Sequence, residues 1–243
     1  MIKFVIPSYQ RPSQLKSKTL TYLEQQCVDP KTIYVFVRND DNNLSEYQSI
    51  EGINLVTTDI KGIGMTHNYI TEYFDENEFI VEIDDDLVNL IDNEKQSVNL
   101  KQTIQEMKDI MENENISYGG LYQCDNSMFM SACNHYTYDL RYMLGLFRLR
   151  FIRKDIVLET NYAEDMENCI LHYLRDGKIL KNNWLCGKTK NYASGGCCGD
   201  GRNLDTEKAD KEHLANKYPE LTRQFTRKNG VTDLRLKDKR KGF

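Results

Sequence analysis

Phe79-Ile80-Val81-Glu82-Ile83-Asp84-Asp85-Asp86 is the stretch that decides how this chain folds. Its first five residues, aromatic and β-branched, read as a buried strand, and the strand runs without a turn residue into three carboxylates. Asp84 and Asp86 alternate, so an apolar strand delivers two carboxylates into a loop where neither can be core. Hard divalent cations such as Mn²⁺ or Mg²⁺ take oxygen ligands and keep water and substrate phosphate in their other positions. Asp84 and Asp86 are therefore the candidate metal ligands at a site for a metal-bound diphosphate, with Asp85 beside them. An acidic triplet alone is more often a solvated turn; its place after a buried strand sets this one apart.

Upstream, Lys3 to Ile6 predicts a short strand closed by Pro7, and the polar loop Ser8 to Ser13 follows, with Ser13 set to cap a helix through about Gln26. Thr32 to Val37 predicts a second strand that ends in the polar cluster Arg38 to Asn43, and Asn54 to Thr57 a third. After Gly62-Ile63-Gly64, the apolar residues of Met65 to Phe74 recur at helical spacing. This alternation predicts an α/β fold: a single domain with a mostly parallel central sheet wound with helices. The loops after Ile6, Val37 and Ile83 would then open on one sheet edge, where such folds bind ligands.

Downstream, a helix is expected from about Leu100 to Glu114, then a Tyr/Met/Phe-rich middle (Tyr118 to Phe151) able to supply strands beside an acceptor groove. A further helix spans Glu164 to Asp176, with Asp176-Gly177 as its stop. Glu164 and Asp165 fall in its first turn, where carboxylates also complement the helix dipole. The 243 residues contain no linker and no repeat, so 1–243 reads as one domain: a nucleotide half over 1–90, an acceptor half over 91–222 and a basic tail over 223–243.

With 40% hydrophobic and 28% charged residues the chain has the composition of a globular protein. No run of about 18 apolar residues occurs, which predicts a soluble cytoplasmic protein with no membrane partner. Seven cysteines without a C-x-x-C pair suggest buried thiols rather than a disulfide framework or zinc site. A net charge of −5 gives the body no pull toward nucleic acid, while the basic tail reads either as a polyanion contact or as a solvated terminus. His67, His135 and His172 sit in no ligand motif and read as structural or surface residues.

The segments V-I-P-S-Y-Q-R-P (5–12), G-I-G-M-T-H-N (62–68), the acidic triplet and A-E-D (163–165) resemble those of glycosyltransferases with the nucleotide-sugar-binding type-A fold. The order S-Y-Q-R, K-T-L, D-D-D, Y-A-E-D, S-G-G and a basic tail is similar to the TET-associated glycosyltransferases of phages and other DNA viruses. That resemblance implies a UDP-glucose donor and a hydroxymethylated pyrimidine of DNA as acceptor. It places Pro7, Ser8, Tyr9 and Arg11 against the nucleoside, with Asp40 or Asp41 accepting a hydrogen bond from the base. It sets Gly62 and Gly64 close to ribose or diphosphate, and Asn68 toward the sugar. Asp165, beside Glu164, becomes the general base if the mechanism is inverting, and positions the acceptor or donor sugar if it is retaining. A third metal ligand is open between His213 and Asp200. Ser194-Gly195-Gly196 reads as a turn near donor or acceptor, and Cys197-Cys198 as packing residues. Three alternatives remain: transfer to a surface or capsid glycan, a non-catalytic nucleotide- or cation-binding module, and nucleotidyl transfer, which would need Arg11 on the leaving phosphate.

Overall fold

The computed structural model describes residues 1–189, 201–227 and 232–237. Its first part runs β1 (Lys3–Pro7), α1 (Pro12–Leu15), α2 (Thr21–Gln25), β2 (Ile33–Arg38), α3 (Leu44–Gln48), β3 (Asn54–Thr58), α4 (Ile63–Tyr73) and β4 (Phe79–Ile83). The second continues with β5 (Asn89–Asp92), α5 (Leu100–Glu114), β6 (Tyr118–Tyr122), α6 (Ser127–Ser131), β7 (Tyr136–Thr137), β8 (Phe147–Phe151), α7 (Glu164–Asp176) and β9 (Leu180–Lys188). It closes with α8 (Leu204–Lys217), β10 (Thr222–Thr226) and β11 (Thr232–Leu236).

The large sheet has the strand order β3-β2-β1-β4-β8-β6-β9-β5, with β7 paired to β9. The wound parallel arrangement expected from the sequence forms β3-β2-β1-β4. Because these strands run the same way, the loops after β1, β2 and β4 open on one edge. Beyond β4 the sheet continues through antiparallel β8, and β6 pairs antiparallel to β8 but parallel to β9. The aromatic-rich middle thus supplies β6, β7 and β8.

Side-chain alternation gives the sheet two faces. Phe4, Ile6, Val35, Val37, Val81, Ile83, Phe147 and Leu149 share one core with Leu15, Leu23 and the α5 stripe Leu100, Ile104, Met107 and Met111. On the opposite face Val5, Phe36 and Ile80 pack against Ile70 and Phe74 of the α4 segment. By the same parity, Glu82, Arg148 and Arg150 fall on the face that α4 covers.

Local signals set the helix ends. Asn99 caps α5 through Gln102 N, and Asn115 ends it in the left-handed region at φ 54°. Gly177, at φ 72°, ends α7 where the sequence placed its stop. Ser13 does not cap the first helix: Pro12 already occupies the first helical position, where its missing N–H costs nothing, and Ser13 follows inside the turn. The predicted basic tail is folded over its first part. β10 and β11 form a hairpin that buries Leu234 and Leu236 against Leu214 of α8. Of the described cysteines, Cys169 and Cys186 are buried and Cys27 and Cys124 exposed, fewer buried thiols than the sequence suggested. Among the described residues no helix is long and apolar enough to cross a membrane.

Between α1 and α2 the helix widens into a π turn over Lys16–Leu20, which contains the fully buried Thr19. Its hydroxyl donates to Asp84 O at 2.8 Å and accepts from Leu87 N at 3.0 Å, fastening the first helical segment to the acidic loop. Thr19→Val keeps the shape, removes the hydroxyl from Asp84 O and leaves the Leu87 amide only its 3.5 Å contact with Asp84 O. It should lower stability by about 1–3 kcal/mol in denaturant titrations with an unchanged m-value; an unchanged midpoint would mean the loop is held elsewhere.

Candidate active site

A cleft of about 260 Å³ lies at the carboxyl edge of the parallel strands. Its walls come from the loop after β1 (Pro7, Ser8, Tyr9, Arg11), the end of β2, the acidic loop after β4 and the first turn of α7 (Glu164, Asp165). The loops after β1, β2 and β4 meet because parallel strands deliver their following loops to one edge, and the first turn of α7 is brought to them by the segment that follows antiparallel β8.

The three aspartates differ in what holds them. Arg11 N donates to Tyr47 Oη at 2.9 Å, Tyr47 Oη lies 2.8 Å from Ser8 Oγ, and Ser8 Oγ donates to Asp85 Oδ2 at 2.6 Å. Arg11 also reaches Asp85 Oδ1 at 3.3 Å. Asp85 is therefore turned into the protein as the anchor of the Pro7 to Arg11 loop. Asp84 and Asp86 have no side-chain hydrogen bond or ion pair among the described residues and border the cleft. Burial, reinforced by the negative charges of Asp165, Asp86 and Asp85 against the opposing pull of Arg148, pushes the Asp84 carboxyl up to about 7. Two carboxylates with no side-chain partner among the described residues have the chemistry of a hard divalent cation site. Among the described residues no three His, Cys, Asp or Glu side chains form a complete ligand set, so water and substrate oxygens would complete the shell.

At the other end of the cleft, Arg148 Nη2 donates to Asp165 Oδ1 at 2.7 Å, and Tyr142 Oη lies 3.4 Å from Asp165 Oδ2. Gly145 makes room for this pair: a Cβ there would overlap both Arg148 Nη2 and Asp165 Oδ1. Glu164 has its carboxyl raised well above the usual range by burial and the adjacent Asp165, with Arg148 opposing. The loop that leads into α7 is held from three helices. Asn68 exchanges hydrogen bonds with the Leu158 backbone, Glu167 accepts from Glu159 N and Thr160 N, and Asp210 accepts from Asn161 N and Tyr162 N.

Several expected site residues do other work. Both ends of the Asn68 amide hold Leu158, so it does not face the cleft. Gly64 is small for the Thr160 backbone, which a Cβ would overlap, rather than for a ligand. Gly62 does border the cleft; its φ of 87° favours glycine, and the Asn161 side chain fills the space a Cβ would take. Asp40 is exposed outside the cleft wall, in a two-point pair with Arg38 (2.8 and 2.5 Å) and 3.4 Å from Lys61. Asp41 is the buried member of that loop and accepts from Gln10 N and Asn43 N. His213 is exposed and paired with Glu159 at 2.8 Å, away from the aspartates' cleft. Asp200, Ser194-Gly195-Gly196 and Cys197-Cys198 lie outside the described residues.

Arg38, Arg148 and Arg202 also line the cleft, and sequence reasoning missed them. Arg38 lies over the Tyr9 ring at 4.4 Å, so a guanidinium covers one face of the tyrosine expected to meet the nucleoside. The signal for Arg148 was present in Phe147-Arg148-Leu149-Arg150-Phe151. Arginines alternating with apolar residues in a short strand require buried acidic partners, and Glu82 supplies one from the pairing strand.

A sheet whose parallel half is extended by antiparallel strands is the architecture of the type-A nucleotide-sugar-binding fold. Among solved structures, the chain is similar to glucosyl-3-phosphoglycerate synthase from Mycobacterium tuberculosis. The TM-score to its complex with Mn²⁺, UDP-glucose and glycerol 3-phosphate is 0.53, at 14% identity, covering 90% of this chain and 79% of that one. For its complex with Mn²⁺, UDP and glucosyl-3-phosphoglycerate the TM-score is 0.52, at 13% identity, covering 98% and 87%. No protein-family model matches the chain, and no curated protein matches it by sequence.

The raised Asp84 carboxyl gives a test on metal-free protein. Between its ordinary value near 3.8 and about 7, the folded state keeps a proton that the unfolded state has lost. This group's contribution to stability therefore falls as pH rises through that window. In chelator, the melting temperature of the native protein should drop more between pH 5 and pH 8 than that of Asp84→Asn. Parallel curves would show that Asp84 carries no such strain.

Proposed function

We propose that this chain is a metal-dependent glycosyltransferase that moves a sugar from a nucleotide-sugar donor to an acceptor hydroxyl. The observation that carries this reading is that Asp84 and Asp86, without a side-chain partner among the described residues, line one cleft of a type-A fold together with Glu164 and Asp165. UDP-glucose is the proposed donor and a hydroxymethylated pyrimidine of DNA the proposed acceptor. Both follow from the resemblance in the sequence motifs, and UDP-glucose with Mn²⁺ is also what the similar mycobacterial synthase holds.

In this reading the Pro7 to Arg11 loop, with Arg38 packed on Tyr9, receives the nucleoside. Arg11, anchored by Asp85, lies near the diphosphate path. Asp84 and Asp86 would hold Mn²⁺ or Mg²⁺, whose positive charge would stabilise the departing nucleoside diphosphate. Asp165 accepts the proton of the acceptor hydroxyl as the acceptor oxygen bonds to the anomeric carbon and the bond to the diphosphate oxygen breaks.

Thermal-shift measurements with UDP, UDP-glucose, GDP-mannose and dTDP-sugars test the donor site. At a hundredfold excess over the dissociation constant, a ligand stabilises by about 2.7 kcal/mol. A uridine nucleotide should shift the native protein only with Mn²⁺ and leave Asp86→Ala unmoved. No shift with any nucleotide would remove the donor reading. Asp165→Asn should retain the donor shift and lose about 10²–10⁴-fold in transfer to hydroxymethylated DNA, measured with labelled donor. Transfer to a glycan but not to DNA would replace the acceptor.

A further inference from the structure

Behind the cleft runs a buried chain of polar side chains that the reaction above does not use. Glu82, His67 and Arg148 are 1%, 2% and 2% exposed, so each is cut off from water. Arg148 Nη1 lies 3.2 Å from His67 Nε2, and His67 Nδ1 lies 3.1 Å from Glu82 Oε2. The last contact is within reach of a hydrogen bond but bent from its ideal line. Glu82 is also paired with Arg150, whose Nη2 donates to Thr71 Oγ1 at 3.3 Å.

The direction of this chain follows from its end members. A guanidinium has donors and no acceptor, so Arg148 donates to His67 Nε2, which must carry a lone pair. An imidazolium has no such lone pair, so His67 is neutral. Its one proton is then on Nδ1, which lies 3.1 Å from Glu82 Oε2 as a close charge–dipole contact rather than a well-aligned hydrogen bond. Burial and the Arg148 charge favour the neutral ring, with Glu82 pulling the other way. At the far end, Arg148 Nη2 donates to Asp165 Oδ1. The guanidinium is thus gripped on one side by α4 and presents its other side to the first turn of α7.

We propose that His67, backed by Glu82, is a positioning residue that fixes the Arg148 fork and through it the orientation of Asp165. This rests on the glycosyltransferase reading for the role of Asp165, though the hydrogen-bond chain itself does not. Asp165 stands among other carboxylates of the cleft, and without a fixed guanidinium only the long 3.4 Å bond from Tyr142 Oη would restrain its side chain. Arg148 holds Oδ1 and leaves Oδ2, near Tyr142, as the oxygen for the acceptor proton. Geometry of this kind matters because an error of about 1 Å in a reacting group can cost on the order of 10²-fold in rate.

Two measurements test the proposal. Long-range ¹H–¹⁵N spectra of the full chain at neutral pH report the tautomer of each of its four histidines. The signal lost in His67→Gln should show a protonated Nδ1 and an unprotonated Nε2. A protonated Nε2, or an imidazolium, overturns the proposal. In kinetics, glutamine can accept from Arg148 and donate toward Glu82, whereas leucine can do neither. His67→Leu should lower kcat at least about tenfold with the donor KM within about twofold, and His67→Gln should recover most of the loss. A folded His67→Leu protein with native kcat overturns the proposal. If it does not fold, the tautomer in the native protein decides. If no protein, native included, turns over any donor, the glycosyltransferase reading has failed while the spectra still judge the chain.

Discussion

A carboxylate in the middle of a buried strand must meet a cation, and Glu82 meets two. In the antiparallel register of β4 and β8 it lies directly opposite Arg148, with Arg150 as the next residue on the same face. Leaving any one of these charges unpaired in the interior would cost about 3–5 kcal/mol, so a slip of one residue between these strands is strongly disfavoured. The apolar residues between them, Val81, Ile83, Phe147 and Leu149, demand the same register from the other face. The junction between the parallel half of the sheet and its antiparallel extension is therefore fixed twice, by charge on one side and by packing on the other.

That junction also places the two acidic ends of the cleft. Asp84 directly follows β4, and its backbone N–H donates to Leu146 O just before β8. Arg148, one register step into β8, then reaches Asp165 at the start of α7. Asp165 thus takes its place relative to the acidic triplet from the sheet, and the loop before α7 is pinned by Asn68, Glu167 and Asp210 to match. The hydrophobic residues alone would fold the sheet; the buried ions determine how the edge of the sheet is arranged.

Much of this was legible in the sequence where local rules dominate. β4 and α7 begin and end where the periodicity, the Gly177 stop and the acidic first turn placed them. The gathering of the loops after β1, β2 and β4 followed from parallel winding alone. What was illegible depends on neighbours distant in sequence. Asn68 and Gly64 look like ligand residues because they follow a glycine turn, yet their partners, Leu158 and Thr160, lie about 90 residues away. Asp40 and Asp41 are adjacent and chemically equal; only the fold turns one outward to Arg38 and the other inward to the Gln10 amide. His67 was read as structural because no ligand motif contains it, and its contact with Arg148 emerges only once β8 pairs with β4.

The acidic triplet illustrates how a fold gives different properties to identical side chains. Three consecutive carboxylates beside Glu164 and Asp165 would repel strongly if all were left bare in a cleft partly closed to water. Asp85 is neutralised by Arg11 and bonded to Ser8, and Asp165 is neutralised by Arg148. That leaves Asp84 and Asp86, just past the end of β4, as the members of the triplet with no side-chain partner among the described residues. The elevated Asp84 carboxyl follows from burial first, with Arg148 opposing and the neighbouring anions Asp165, Asp86 and Asp85 adding to it. Two carboxylates without a side-chain partner among the described residues, next to one that is held by Arg11 and Ser8, could receive positive charge at one point. The anchoring of Asp85 and Asp165 is what makes that point specific.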